Sequence, residues 1–109
     1  MKNLSKQSRE FIAQFGIEYP IIQAGMDGAA TPPLVSAVSE AGGMGTLPLG
    51  FRSPEHARSQ IQAIQEATKR PFMANFVLNF PTLSLATALE HGVKTILFSW
   101  GLPDKYVCK

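Results

Sequence analysis

SPEHARSQIQAIQEATKRPFMANF, residues 53–76, sets one amphipathic segment directly before one short apolar run. Ser53 ahead of Pro54 offers a capping hydroxyl and a proline suited to the first helical position. Glu55 complements the positive end of the helix dipole, while Lys69 and Arg70 fall at the negative end. Ala57, Ile61, Ile64 and Thr68 share one helical face, and Pro71 cannot continue the helix. Phe72 to Phe76 is too short for a helix and reads as a strand buried on both faces, which is the habit of parallel sheets.

The same alternation extends in both directions. Upstream, Ser5 to Phe15 carries Phe11, Ile12 and Phe15 on one face and stops at Gly16. Ile21 and Ile22 follow Pro20 as a short β-branched run, read as a buried strand. Thr31 and Pro32 open a helix whose Leu34, Ala37, Val38 and Ala41 form an apolar stripe ending at Gly42. Met44 to Leu47 is the next strand. Downstream, a helix from about Thr82 to His91 turns Leu85, Ala86 and Leu89 inward, Thr95 to Phe98 is the fourth strand, and Asp104 caps a helix starting with Lys105 to Cys108.

Four βα units with a leading helix, cut inside a further helix, make an α/β chain that corresponds to the N-terminal half of a (β/α)8 TIM barrel, a fold of about 250 residues. Residues 1–109 are then one partial barrel domain whose C-terminal half is absent. A complete doubly wound sheet of flavodoxin-like size is the alternative, although no G-x-G-x-x-G loop follows the first strand. In the half barrel, the inward strand faces, including Ile21, Ile22, Phe76 and Ile96, would be left apolar and uncovered. The strand edges would then be met by the missing half or by self-association.

Composition narrows the function classes. Hydrophobic residues make up 45% and charged residues 17%, which argues against disorder. Ten Lys and Arg against eight Asp and Glu leave +2 without a basic run, giving no reason to expect nucleic acid or an anionic membrane as partner. A single cysteine, Cys108, forms no internal disulfide and no zinc site, so a reducing, cytoplasmic setting is expected, with no metal.

In a parallel sheet the ligand meets the C-terminal strand ends, where the βα loops converge. After the first strand, Ala24, Gly25, Gly28, Ala29 and Ala30 present nearly bare backbone to a flat ring, and Met26 adds a polarizable face. Asn75 is a primary amide inside an apolar strand, costly to bury unless its donors and acceptor are used by a ligand or a network. Ser99 ends the fourth strand with no base beside it, so a nucleophilic triad has no support. His56 and His91 lie in helices and Asp27 stands alone, which gives neither an acid/base pair nor a metal site.

The run FGIEYPIIQAGMDGAATPPLVSAVSEAGGMGTLPLG, continued by SPEHARSQIQAIQEATKRPFMANF and LFSWGLP, resembles the nitronate monooxygenase family, formerly called 2-nitropropane dioxygenases. The resemblance implies an FMN-dependent oxidoreductase on a (β/α)8 barrel, oxidising alkyl nitronates with dioxygen. It implies flavin contacts from Ala24, Gly25, Met26 and Asn75. Two residues depart from the family pattern: Gly25 replaces a usual proline, and Ser99 occupies the place of a histidine base. Ser99 brings forward two alternatives, a flavin-dependent NAD(P)H reductase of quinone or enoyl reductase type and a non-catalytic truncated fragment. The family's phosphate-binding loops lie in the barrel's second half, so the 109 residues alone are expected to be inactive.

Overall fold

The computed structural model describes residues 3–107. In chain order it contains α1 (Lys6–Phe15), a 3-10 turn (Asp27–Ala29), α2 (Pro32–Glu40), β1 (Gly45–Pro48), α3 (Pro54–Ala67), β2 (Phe72–Val77), α4 (Leu85–Glu90), β3 (Thr95–Ser99) and a second 3-10 turn (Asp104–Tyr106). The helix starts follow their caps. Ser5 Oγ accepts from the Ser8 amide and Ser53 Oγ from the His56 amide, while Pro32 and Pro54 occupy first-turn positions. No helix among the described residues is long and apolar enough to cross a membrane.

The strands run parallel in the order β1-β2-β3. Ile22 adds a parallel bridge to Met44 on the far side of β1, with the Gln23 amide donating to the Met44 carbonyl at 3.0 Å. Spatial order therefore follows chain order from Ile22 to β3. A doubly wound sheet needs a reversal of strand order, and none is present among the described strands.

Register separates the two faces of the sheet. Leu47, Ala74 and Ile96 are aligned, as are Phe76 and Phe98, and all pack with Val35 of α2, Ala57, Ile61 and Ile64 of α3, and Leu85 and Ala88 of α4. Helices α2, α3 and α4 thus cover one face. On the other, Met44 and Met73 pack with Ile17 and with Phe11, Ile12 and Phe15 of α1, which closes the N-terminal end of that face. Asn75, Leu97 and Ser99 occupy its C-terminal end.

Several expectations require correction. Phe76 and Ile96 face the helix layer, not a barrel interior, because strand alternation puts them beside Leu47 and Ala74. Ile21 and Ile22 form no buried strand: Ile22 makes a single bridge to Met44, the Ile21 carbonyl accepts from the Met44 amide at 2.9 Å, and both are exposed. In α2 the buried residues are Val35, Ser36 and Ser39, while Ala37 and Ala41 are exposed. Close approach to β1 selects small side chains there, and their hydroxyls are used: Ser36 donates to the Pro32 carbonyl at 2.9 Å and Ser39 accepts from the Gly45 amide at 3.1 Å. Thr31 makes no side-chain capping bond. In α4 the inward residues are Leu85, Thr87 and Ala88, with Ala86 and Leu89 exposed. The segment after Asp104 is a 3-10 turn over the described residues, and Cys108 lies outside them.

Gly45 is where helix and sheet approach most tightly. A Cβ there would lie 2.3 Å from the Val35 carbonyl oxygen and 2.9 Å from its carbon, both backbone atoms that cannot move aside cheaply. Gly45→Ala is expected to destabilise the fold by about 1–3 kcal/mol. Gly28→Ala, which meets nothing within 4 Å, should change stability by less than about 0.5 kcal/mol in the same urea titration.

Candidate functional site

The open face gathers its polar groups at the C-terminal strand ends. Asn75 projects from β2 away from the helices and is 7% exposed. Its Nδ2 donates to the Leu97 carbonyl at 3.0 Å and to Ser99 Oγ at 3.3 Å. Both bonds cross to β3, so the amide fixes the position of Ser99. On the opposite side, a Cβ at Gly25 would sit 3.0 Å from Asn75 Oδ1 and 3.3 Å from its Cβ. Glycine at this position lets the first loop settle directly against the amide.

The loop is held by Gln23, a residue that sequence reasoning left without a role. Gln23 Oε1 accepts from the Thr46 amide at 3.1 Å and its Nε2 donates to the Thr46 carbonyl at 3.2 Å and to the Ala24 carbonyl. The side chain thereby imitates the next rung of a parallel ladder beyond the Ile22 bridge. The argument applied to Asn75, a primary amide at the end of an apolar run, would have found it. Beyond Gln23, the amides of Ala24, Gly25 and Met26 donate no hydrogen bond to any described residue. Three consecutive amides are thus without a partner among the described residues, in the loop whose Gly25 lies against Asn75.

Strain concentrates at the same end. Among the described residues, the three non-glycine residues with positive φ are Asp27 (44°), Phe51 (65°) and Trp100 (60°), and each lies in a loop that follows a strand or the Ile22 bridge. Such backbone costs energy and persists where surrounding contacts enforce it. Arg52 Nη2 bonds Asp27 Oδ1 at 2.9 Å, tying the first loop to the second. The Phe51 and Phe80 rings meet tilted, 4.0 Å between centroids, tying the second to the third. Farther out, Thr82 Oγ1 and Tyr106 Oη share a hydrogen bond of 3.1 Å. That bond lowers the Tyr106 phenol below its ordinary pKa of 10.0; partial desolvation opposes the change and Lys105 adds to it.

The structure thus brings together Gly25, Asn75 and Ser99 and leaves Ala24 and Met26 on the open side of the same loop. His56 is exposed on α3, and His91 Nδ1 lies 2.9 Å from the Thr87 carbonyl at the end of α4, so neither joins the site. Among the described residues, no cluster of His, Cys, Asp and Glu side chains is placed to hold a metal ion.

Residues 8–97 match the family model for nitronate monooxygenase. The chain belongs to the nitronate monooxygenase family. A probable nitronate monooxygenase from Staphylococcus saprophyticus is 38% identical over 86 residues, which are 79% of this chain and 24% of that protein. One from Staphylococcus aureus is 44% identical over 59 residues, 54% of this chain and 17% of that protein. Among solved structures, FabK from Thermotoga maritima superposes with a TM-score of 0.85 at 35% identity, covering 90% of this chain and 32% of that one. A nitroalkane oxidase from Streptomyces ansochromogenes superposes with a TM-score of 0.76 at 25% identity, covering 87% and 37%. The chain therefore spans about a quarter of the first of these curated relatives and about a third of the solved structures.

The contact between Gly25 and Asn75 makes a measurable coupling. Gly25→Ala should destabilise the chain when Asn75 is present and do so less in an Asn75→Ala background, where Oδ1 and Cγ are gone. A double-mutant cycle by urea denaturation should return a coupling of about 0.5 kcal/mol or more; strict additivity would show that the loop does not rest on the amide.

Proposed function

We propose that these residues form the first βα units of a (β/α)8-barrel, FMN-dependent oxidoreductase of nitronate monooxygenase type, which oxidises alkyl nitronates with dioxygen. The observation that carries this reading is the row of unpartnered amides at Ala24, Gly25 and Met26 beside the Asn75 carboxamide. Sequential strand order and crossover helices confined to one face support the barrel.

The residues fit a flat heterocycle with polar edges. The unpartnered backbone amides would meet ring acceptors, and the exposed Met26 side chain would offer the ring a polarizable contact. Bound FMN supplies the capacity to take electrons from an organic anion and deliver them to dioxygen. The chain itself supplies binding and orientation. Asn75 Nδ2 donates to Ser99 Oγ, which occupies a hydroxyl lone pair and leaves the Ser99 hydrogen free to donate. Ser99 therefore holds an anionic oxygen and does not abstract a proton, because a serine hydroxyl cannot act as a base near neutral pH as imidazole does. The substrate is accordingly a nitronate that arrives ionised, not a neutral nitroalkane.

The second reading, a flavin-dependent reductase fed by NAD(P)H, uses the same ring contacts and is favoured by Ser99, since reduction of the flavin by a nicotinamide needs no base at that position. Oxygen uptake with an alkyl nitronate by a full-length protein carrying these residues, set against NAD(P)H oxidation with a quinone, separates the two. Rapid NAD(P)H turnover with no nitronate-dependent uptake would select the reductase. In either case Asn75→Ala in that full-length protein should weaken FMN retention by about 1–3 kcal/mol, read from flavin fluorescence on dilution. Unchanged retention would remove Asn75 from the cofactor site.

A further inference from the structure

A cleft of about 580 Å³ opens between the loop that follows β2 and the loop that follows β3. Its floor is fixed. The Leu78 amide donates to the Ser99 carbonyl at 2.8 Å, and a Cβ on Gly101 would lie 2.9 Å from Leu78 Cβ, so the two loops touch there. Its walls are apolar and wet: Leu102 is 82% exposed, Trp100 75% and Leu83 58%. Large apolar side chains gathered around one concavity, with this much surface left in water, mark a binding site more than a packing defect.

The polar side chains of the lining are Asn79, Thr82, Lys105 and Tyr106, and the charge among them is positive. Among the described residues Lys105 alone is charged in the lining, and its Nζ stands 5.1 Å from the centroid of the Tyr106 ring. The neighbouring carboxylate, Asp104, does not line the cleft. Thr82 and Tyr106 pair their hydroxyls at the same rim. A neutral apolar ligand would fill the walls and leave Lys105 unused, while a small anion would meet Lys105 and leave the walls in water.

We propose that this cleft binds an organic carboxylate carried on an apolar chain or ring, the apolar body lying against Trp100, Leu102 and Leu83 and the carboxylate meeting Lys105. The lining contains none of Ala24, Gly25, Met26 and Asn75, so the cleft can be tested without the cofactor.

Trp100 is the single tryptophan of the chain and lines the cleft, which makes its emission a direct reporter. Octanoate, 1-octanol and acetate serve as probes. Octanoate should shift Trp100 emission to shorter wavelength in a saturable way, and acetate should not. Lys105→Gln should weaken octanoate about two- to fivefold, as expected for an exposed ion pair, with 1-octanol unaffected and Lys105→Arg restoring octanoate. Leu102→Ser should weaken both octanoate and 1-octanol. The proposal is overturned by the absence of a saturable shift with octanoate, by an equal response to acetate, or by octanoate binding indifferent to Lys105→Gln in a variant whose circular dichroism matches the parent.

Discussion

The Asn75 carboxamide is the interaction on which the open face depends. An amide placed among apolar strand residues must spend its hydrogen bonds, and here Nδ2 spends both on β3, at the Leu97 carbonyl and Ser99 Oγ. Its Oδ1 side is met by Gly25, the position in the first loop where a side chain would collide. One buried group thus sets the spacing of the first loop, β2 and β3. Without it, the loop amides and the Ser99 hydroxyl would have no common reference.

This arrangement presupposes a sheet with one face packed and one face open. The packed face is built by alternation, which sends Leu47, Ala74, Phe76 and Ile96 to the helices and leaves Asn75 and Ser99 opposite. Helix α1 fills the N-terminal end of the open face with Phe11 and Phe15, so the space that remains lies at the C-terminal end. The loops there carry the strain at Asp27, Phe51 and Trp100, and are tied by the Asp27–Arg52 pair and the Phe51–Phe80 contact. Rigid loops around an open polar centre suit a site in which the protein holds groups in place and a cofactor carries the reaction.

Much of this was legible in the residues. Ser53, Pro54 and the Ala57, Ile61, Ile64 face defined α3 almost to the residue, because caps and helical spacing are local signals. The cost of burying a lone amide singled out Asn75, and small residues singled out Gly25. What escaped depended on partners distant in sequence. The buried face of α2 turned on how closely Val35 approaches Gly45, which favours serines over a conventional apolar stripe. The face taken by Phe76 could not be read from a strand apolar throughout, since alternation is visible only when one face is polar. Gln23 acts through the backbone of Thr46, a partner that only the fold brings near.

In the proposed function the amides of Ala24, Gly25 and Met26, braced by Asn75, receive the flavin ring. Hydrogen–deuterium exchange of the chain with and without FMN reads those groups directly, and tolerates weak binding when FMN is in excess. Slowed exchange confined to residues 24–26 and to the strand ends around Asn75 and Ser99 is the predicted result. Protection elsewhere with unchanged exchange at residues 24–26, or no change at saturating FMN, would contradict the assignment.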